Sequence, residues 1–322
     1  MINYSSFDEK RQYETLIKDV NEKYSARKAA TEEMAGIFAA LARTDPWGYE
    51  RRAVAMANCC SLLVVSGDGE RARVVHANSC KVRLCPWCAY KRSVRAYMEN
   101  IAAVTYMQGK SKKEEKWLHI VLTVKNVPRA LLPAEIDRIS AGIQKLRKEK
   151  RVARVVRGGM KSIEITYNEK ADTYHPHAHL LLNVTASYFG RDYMKQQEWR
   201  EMWGEIMGLD YLPQVSVKRV DDMASAVAEV SKYITKTGDL LKIKHPAKRQ
   251  EVVETIDSAS YRRRLCTYFG VLREVRAELK LPPDVPSEVV GDEDFNELEA
   301  ACDKRQYFFS WHLGGYNLVA VQ

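Results

Sequence analysis

The sequence lacks long apolar stretches. No uninterrupted apolar run approaches the roughly 18 residues that a transmembrane helix needs, and residues 1–20 mix charges without the apolar segment of a secretory signal peptide. Internal repeats and low-complexity blocks are also missing from the sequence. These absences argue against a membrane-spanning, secreted or repeat protein, and we expect the protein in the cytoplasm.

Cysteine is scarce outside one short region. The chain has 7 cysteines, and five of them lie between Cys59 and Cys88. This clustering fits a reducing compartment and a metal site better than a disulfide framework. The Cys-Pro-x-Cys turn predicts a tetrahedral zinc site held by Cys80, Cys85, Cys88 and Cys60, with Cys59 as the alternative to Cys60. Four thiolates would leave no open position, so the zinc would serve folding. A redox Cys-x-x-Cys pair and reduced structural cysteines are the other interpretations, and the missing thioredoxin-like pattern argues against the redox pair.

Acidic residues are outnumbered by basic ones. The chain carries 51 lysines and arginines against 42 aspartates and glutamates, for a formal charge of +9. This excess indicates a polyanionic partner. Around the cysteine motif the basic residues are interleaved with Trp87 and Tyr90, a combination suited to phosphates and stacked bases. A solvated basic helix face is the alternative. The candidate DNA-binding residues are Lys81, Arg83, Lys91, Arg92 and Arg95.

Three of the 7 histidines lie within residues 175–179. The two-residue period of a strand points His177 and His179 to the same face. Upstream, polar and apolar residues alternate through a predicted strand that contains Glu164, and the polar turn between the two strands predicts an antiparallel hairpin. Two imidazoles and the Glu164 carboxylate would leave open positions that suit Mn²⁺ or Mg²⁺. The alternatives are solvated strand histidines and an exposed strand carboxylate.

Residues 221–238 predict one helix, with Asp221 or Asp222 as its N-cap and Gly238 as its end. A tyrosine on this helix, with an ordinary pKa of about 10, is a poor nucleophile until a cation stabilises its phenolate. A surface tyrosine in an ordinary charge pattern is the alternative. The positions that share the polar face, at i, i+4 and i+7, are Glu229, Tyr233 and Lys236.

Three motifs in this order resemble those of the HUH single-strand endonucleases. Within them, the chain is most similar to the rolling-circle replication initiator (Rep) proteins of small plasmids from Gram-positive bacteria. The matching motifs are the apolar strand 117–124, His177-Ala178-His179, and Glu229-x-x-x-Tyr233-x-x-Lys236. The cysteine motif followed by basic residues also recurs in this Rep group, and the likeness runs from about residue 60 to about residue 281.

The resemblance implies a transesterification on single-stranded or hairpin origin DNA. Tyr233 would attack the phosphate at the nick site, held by a metal at His177 and His179, and leave a 5′-phosphotyrosyl link and a free 3′-OH. Glu229 matches the proposed base for the water that ends the cycle, and Lys236 would stabilise the phenolate. A host helicase and DNA polymerase are the implied partners, and a homodimer stays open.

The resemblance also implies an α+β, ferredoxin-like HUH core with a central antiparallel sheet. Residues 151–156 and 162–167 are predicted to flank a turn at Gly158-Gly159, and a hairpin around Gly314-Gly315 is predicted to close the tail. We expect four segments: a helical N-terminal region 1–48, a zinc-binding module with a basic helix 49–110, the nickase core 111–281, and a C-terminal extension 282–322 that packs on the core.

Two rival functions use the same motifs differently. An HUH transposase or conjugative relaxase would use the phenol and metal for strand transfer, but the Glu229 to Tyr233 spacing favours an initiator, because termination by water needs a base. A non-catalytic zinc-dependent DNA-binding protein would require the histidine and tyrosine motifs to coincide by chance.

Overall fold

The chain folds into two compact units. The computed structural model describes residues 7–67, 72–232, 237–282 and 305–321. One unit, the cysteine unit, comprises residues 1–90, 237–254 and 287–322; the other, the histidine unit, comprises residues 91–236 and 255–286. Tyr233 and Lys236 lie outside the described residues, so their predicted roles rest on the sequence alone.

The described residues contain both helices and strands. The helices are α1 Phe7–Leu41, α2 Pro46–Ala57, α3 Pro86–Lys110, α4 Leu132–Lys148, α5 Lys150–Val155, α6 Gln196–Ile206, α7 Met223–Val230, α8 Thr237–Leu241, α9 Pro246–Ser260 and α10 Val271–Glu278. The strands are β1 Leu62–Gly67, β2 Ala72–Ala77, β3 Lys116–Thr123, β4 Val156–Asn168, β5 Thr173–Val184, β6 Val215–Arg219, β7 Cys266–Gly270, β8 Gln306–His312 and β9 Gly315–Val321. Among the helices described, none is both long enough and apolar enough to cross a bilayer.

The histidine unit is built on a five-stranded antiparallel sheet in the order β6-β3-β5-β4-β7. The histidine strand β5 is the central strand, with β3 on one side and β4 on the other. Its second half is buried on both faces, in keeping with the run of apolar residues that follows His179. The predicted α+β, ferredoxin-like plan with a central antiparallel sheet is confirmed.

The two faces of this sheet differ in polarity. Ala178, Leu180 and Leu182 alternate with the histidines along β5 and are buried on one face. Helix α4, whose buried residues recur every three or four positions, packs against β5 and α6. On the opposite face, residues of α3, α7 and α10 pack around Met160 and Leu181. The remaining end of that face carries the histidines.

The predicted turn at Gly158-Gly159 is wrong. Residues 156–168 form one continuous strand, β4, and residues 150–155 before it are helical. The glycines allow close backbone contact in the sheet instead: a Cβ on Gly159 would lie 2.2 Å from the carbonyl oxygen of Leu181, and one on Gly158 would lie 2.5 Å from the amide nitrogen of Val271. A glycine pair inside a strand thus marks tight packing here.

The predicted helix over residues 221–238 begins as expected but ends early. The Asp222 side chain caps the helix by accepting a hydrogen bond from the amide of Ser225 at 3.2 Å, and Val227 and Val230 are buried. Helix α7 ends at Val230, and Ser231 is its C-cap. Tyr233 and Lys236, predicted to share a face of this helix with Glu229, lie outside the described residues, so their shared face stays a prediction.

The cysteine unit combines α1 with a four-stranded antiparallel sheet in the order β2-β1-β8-β9. The predicted tail hairpin is present as β8 and β9. Its described part pairs with β1, with Leu63 opposite Phe309. Phe309 is fully buried there, and the Tyr316 hydroxyl donates a hydrogen bond of 2.7 Å to the carbonyl of Cys60. The packing of the C-terminal extension on the nickase core stays a prediction.

Candidate functional site

Glu164, His177 and His179 converge on one point of the histidine unit. Strands β4 and β5 pair with Glu164 directly opposite His177, so the three side chains share a face of the sheet. A Glu164 carboxylate oxygen lies 3.7 Å from Nε2 of His177 and 3.5 Å from Nε2 of His179. Their candidate ligand atoms lie within 4.8 Å of one another, close enough for all three to hold one metal ion. The structure brings together the predicted triad.

The second nitrogen of each imidazole has a partner on the far side from Glu164. Nδ1 of His177 lies 3.1 Å from the carbonyl oxygen of His175 and donates a hydrogen bond to it. Nδ1 of His179 lies 3.3 Å from Nε2 of His119, on β3. Nε2 of His179 is buried and has no hydrogen-bond partner within the described part of the chain. A buried nitrogen without a partner beside a carboxylate is the donor atom that a cation would use.

Burial keeps the imidazoles around the triad neutral. It is the largest influence on His119, His175 and His177, and it lowers the pKa of all three below the usual value. A neutral imidazole retains the lone pair that metal coordination requires. The donor set of two imidazoles and a carboxylate fits a divalent cation such as Mn²⁺ or Mg²⁺ with free positions for oxygen ligands.

Glu229 lies beside this triad, near the end of α7. Its carboxylate raises the pKa of His119 and of His177, so it is close to both imidazoles. Burial pushes the pKa of Glu229 upward, but the hydrogen bond and charge of Lys232 outweigh burial, and the net shift is downward. Glu229 is therefore ionised at neutral pH. Of the three predicted catalytic residues, only this one falls within the described part of the chain.

Four cysteines come together in the cysteine unit: Cys59, Cys80, Cys85 and Cys88. Sγ of Cys88 lies 3.6 Å from Sγ of Cys59 and from Sγ of Cys80, and Sγ of Cys85 lies 3.7 Å from that of Cys59. Sulfurs bound tetrahedrally at about 2.3 Å from zinc stand about 3.8 Å apart, so these separations fit the ion. The cluster is closed, with three buried members and a half-buried Cys80.

The sequence favoured Cys60 as the fourth zinc ligand, with Cys59 as the alternative. The group of four contains Cys59 and does not contain Cys60. The two are adjacent in the chain, and their sulfurs lie 3.9 Å apart. Cys60 adopts a left-handed backbone conformation, with φ of 54°, which turns its side chain away from the direction that a helical or extended residue would give. The neighbouring backbone thus selects between the two thiols.

The candidate DNA-binding residues are less exposed than a solvated basic face would be. Arg83 is buried, Arg95 forms an ion pair of 2.7 Å with Glu99, and Lys81, Lys91 and Arg92 are half-buried. The two aromatic residues also differ from each other. Trp87 is only 2% exposed and packs on Tyr24 and Tyr316, so it is a core residue, whereas Tyr90 is 41% exposed with the Arg27 guanidinium stacked on its ring.

His119 is the site residue that sequence reasoning missed. The strand 117–124 was identified as apolar, and its single histidine was given no role. A signal was present: in an antiparallel pairing with the histidine strand, strand alternation places His119 on the same face as Val121 and therefore on the face of His177 and His179. The pairing register, which the sequence does not state, was needed to use it.

Comparison with known proteins shows which family the chain is similar to. The family model described as "Replication protein" matches residues 71–318. "Protein rep" of Bacillus amyloliquefaciens is 33% identical over 292 residues, which cover 84% of this chain and 85% of that protein. "Protein rep" of Streptococcus pneumoniae serotype 2 (strain D39 / NCTC 7466) is 30% identical over 289 residues, covering 87% and 86% of the two chains. "Protein rep" of Staphylococcus aureus is 36% identical over 175 residues, covering 53% and 76%. No solved structure matches the chain significantly.

Proposed function

The chain belongs to the Replication protein family and is a rolling-circle plasmid replication initiator, and we propose that it nicks one origin strand by a metal-dependent tyrosine transesterification. The observation that carries the proposal is the convergence of Glu164, His177 and His179 beside Glu229. Tyr233, the proposed nucleophile, lies outside the described residues and follows Glu229 by four residues in the sequence.

The proposed reaction is a displacement at phosphorus. The phenolate oxygen of Tyr233 forms a bond to the phosphorus at the nick site, and the bond from phosphorus to the 3′ oxygen breaks. The phenol loses its proton before or during attack, and the departing 3′ oxygen gains one. Lys236, three residues after the tyrosine, would stabilise the phenolate by its charge. The phosphodiester energy is kept in the 5′-phosphotyrosyl link, and the free 3′-OH is a primer for a host polymerase.

The histidine unit would hold Mn²⁺ or Mg²⁺ through Nε2 of His177, Nε2 of His179 and the Glu164 carboxylate. When bound there, a divalent cation neutralises charge on the non-bridging phosphate oxygens. The chain's own contribution is preorganisation, because the two Nδ1 partners already direct both Nε2 atoms to one point. His177 and His179 are also largely shielded from solvent, which strengthens the electrostatic interactions of the site.

Glu229 is proposed as the base that activates water at termination. Its ionised state and its position beside the imidazoles support this role, since a base must accept a proton near the metal-held phosphate. Lys232 pairs with Glu229 and helps to keep it ionised.

The remaining parts of the proposal concern support and partners. Zn²⁺ in the cluster of Cys59, Cys80, Cys85 and Cys88 would stabilise the cysteine unit without taking part in the reaction. Single-stranded or hairpin origin DNA is the substrate, a host helicase would separate the strands, and Lys81, Arg83, Lys91, Arg92 and Arg95 stay as candidate DNA contacts.

The proposal is tested by nicking of a supercoiled plasmid that carries the parent origin. Wild type with Mn²⁺ should convert it to the open circle, whereas Tyr233→Phe, and wild type in EDTA, should leave it supercoiled. Nicking by Tyr233→Phe at the wild-type rate would refute the assigned nucleophile, and full activity in EDTA would refute the metal dependence.

A further inference from the structure

His119 is neither a ligand of the candidate metal site nor one of the proposed catalytic groups. It lies on β3, the strand that pairs with the histidine strand β5 on the side away from Glu164. Its Nε2 is 3.3 Å from Nδ1 of His179, and the two rings are nearly parallel, at an interplanar angle of 13°. His179 therefore sits between His119 on β3 and Glu164 on β4, with one ring nitrogen directed to each.

We propose that His119 is a positioning residue, whose Nε2 accepts a hydrogen bond from Nδ1 of His179 and so leaves the lone pair of His179 Nε2 free for a divalent cation. This inference rests on the proposed function and adds to it the group that orients one ligand. The role matches a general feature of metal sites, in which the nitrogen that does not bind the metal donates its proton to an outer acceptor.

The opposite arrangement of the proton is incompatible with a bound cation. If His119 donated to Nδ1 of His179, the proton of His179 would move to Nε2, which lies 3.5 Å from a Glu164 carboxylate oxygen, and the lone pair that a cation needs would be lost. With the proton on Nδ1, the lone pair of Nε2 lies beside the Glu164 carboxylate, and a cation there would bind both groups.

His119 is an outer group and not a fourth ligand. The atoms that lie within 4.8 Å of one another belong to Glu164, His177 and His179, and His119 is not in that set. Its Nε2 is occupied by His179, on the far side of β5 from Glu164. His177 has the equivalent arrangement with a backbone acceptor, the carbonyl of His175. The two ligands thus use one side chain and one backbone group for the same purpose, and only the side chain can be changed by mutation.

The experiment measures Mn²⁺ affinity by calorimetry on zinc-loaded, full-length protein, with a His177→Ala/His179→Ala double variant to identify the signal of the triad. His119→Phe, which keeps a ring but removes the acceptor, should weaken Mn²⁺ binding about 10-fold to 100-fold. His119→Gln, whose amide oxygen can accept the same hydrogen bond, should recover most of the affinity. Ile120→Val, on the same strand but on the opposite face and paired with Leu180, is the control for lost packing and should bind Mn²⁺ like wild type.

The results separate this inference from the proposed function. Loss in His119→Phe with recovery in His119→Gln supports the positioning role, and nicking by His119→Phe should then return at high Mn²⁺. Equal affinity in wild type and His119→Phe would overturn the role of His119 while leaving the triad intact. Wild type that binds no Mn²⁺ through His177 and His179 would instead refute the proposed function.

A second measurement needs no variant. Nitrogen-15 spectra of the histidines in wild type loaded with diamagnetic Mg²⁺ should show His179 with its proton on Nδ1. A proton on Nε2 of His179 would overturn the inference even if His119→Phe failed to fold.

Discussion

At the scale of single residues, the site depends on which atom each side chain presents. His177 and His179 each direct Nε2 toward Glu164 because Nδ1 is engaged elsewhere, and Glu229 is ionised because Lys232 outweighs its burial. These details decide which group binds a cation and which accepts a proton. Two residue-scale predictions follow from them.

Glu229→Gln should separate initiation from termination. The substitution keeps the shape of the side chain but removes its ability to accept a proton from water, so nicking at the origin should persist while release at the end of the cycle fails. The measurement is a comparison of nicked circles and of covalently held single strands in a plasmid replication assay. Normal termination by Glu229→Gln would contradict the assigned base. Glu251→Gln, a helix glutamate of the other unit, is the control and should behave like wild type.

Cys59 and Cys60 form a natural matched pair for the zinc site. Cys59→Ala removes a sulfur from the group of four, whereas Cys60→Ala removes a neighbouring sulfur that lies outside it. We expect about one zinc per chain in wild type and in Cys60→Ala, and loss of most zinc in Cys59→Ala, measured by elemental analysis of purified protein. Full zinc retention in Cys59→Ala with loss in Cys60→Ala would restore the assignment preferred on sequence.

Residue-scale reasoning from the sequence succeeded where strand alternation alone decides the geometry. His177, His179 and Glu164 were brought together by a two-residue period and one hairpin. The sequence did not identify Cys59 as the preferred zinc ligand, because the local backbone selects the thiol. It also did not identify His119, because the pairing register of the strands was required. Trp87 was read as a stacking surface and is a core residue, because tertiary contacts decide which face of an aromatic ring stays exposed.

At the scale of elements, the pairing of β4 with β5 positions the triad. Glu164 reaches the histidines only if the two strands keep their register. Gly159 belongs to the same strand pair, lies opposite Leu182, and lets the two backbones come close together. Gly159 therefore helps to maintain the strand pairing that positions Glu164, although it does not contact the triad. A side chain there would push the strands apart.

Gly159→Ala should destabilise the histidine unit. Its added Cβ would lie 2.2 Å from a backbone oxygen that cannot move without breaking the sheet. We expect a loss of more than about 2 kcal/mol in the free energy of unfolding, in the range typical of overpacking. Gly36→Ala is the control, because that glycine lies inside α1 with nothing within 4 Å of the new Cβ. It should stabilise the protein by about 0.5 to 1 kcal/mol. Chemical denaturation measures both, and equal stability of the two variants would contradict the explanation.

Element prediction from the sequence was sound for strongly periodic segments and failed at glycines and at one helix end. The β8–β9 hairpin and the start of α7 follow from turn residues and an Asp N-cap. The Gly158-Gly159 pair looks like a turn when the neighbouring strands are unknown. Helix α7 stops at Val230 although its pattern continues, since local periodicity carries no information on where tertiary packing ends.

At the scale of the whole molecule, the chain contributes two candidate metal centres in two units, and three half-buried, neutral histidines lie in the histidine unit. The sequence predicts the two centres in separate segments, but it does not show that residues 237–254 and the tail belong to the cysteine unit, because residues 255–286 of the histidine unit lie between them in the chain. The division into four successive segments stays a prediction, since contacts distant in sequence set the units.

Acid should destabilise the metal-free protein through three half-buried histidines. The pKa values of His119, His175 and His177 are lowered in the folded state, so between the usual value near 6.5 and the lower folded values the unfolded chain binds more protons. Their contribution is complete above about pH 6.5 and is lost as the pH falls through the folded values. The melting temperature should therefore drop from pH 7.5 to pH 5.5, and by less in His175→Gln. Equal drops in both proteins would contradict this cause.

The proposed nucleophile is tested most directly by identifying the residue that becomes linked to DNA. Wild type and Tyr233→Phe are mixed with single-stranded fragments that tile the parent origin, with Mn²⁺ or with EDTA, and the products are resolved on denaturing gels and mapped by mass spectrometry. We expect a 5′ adduct on Tyr233 that requires Mn²⁺ and is absent from the variant. An adduct on another residue, or none on any fragment, would contradict this assignment.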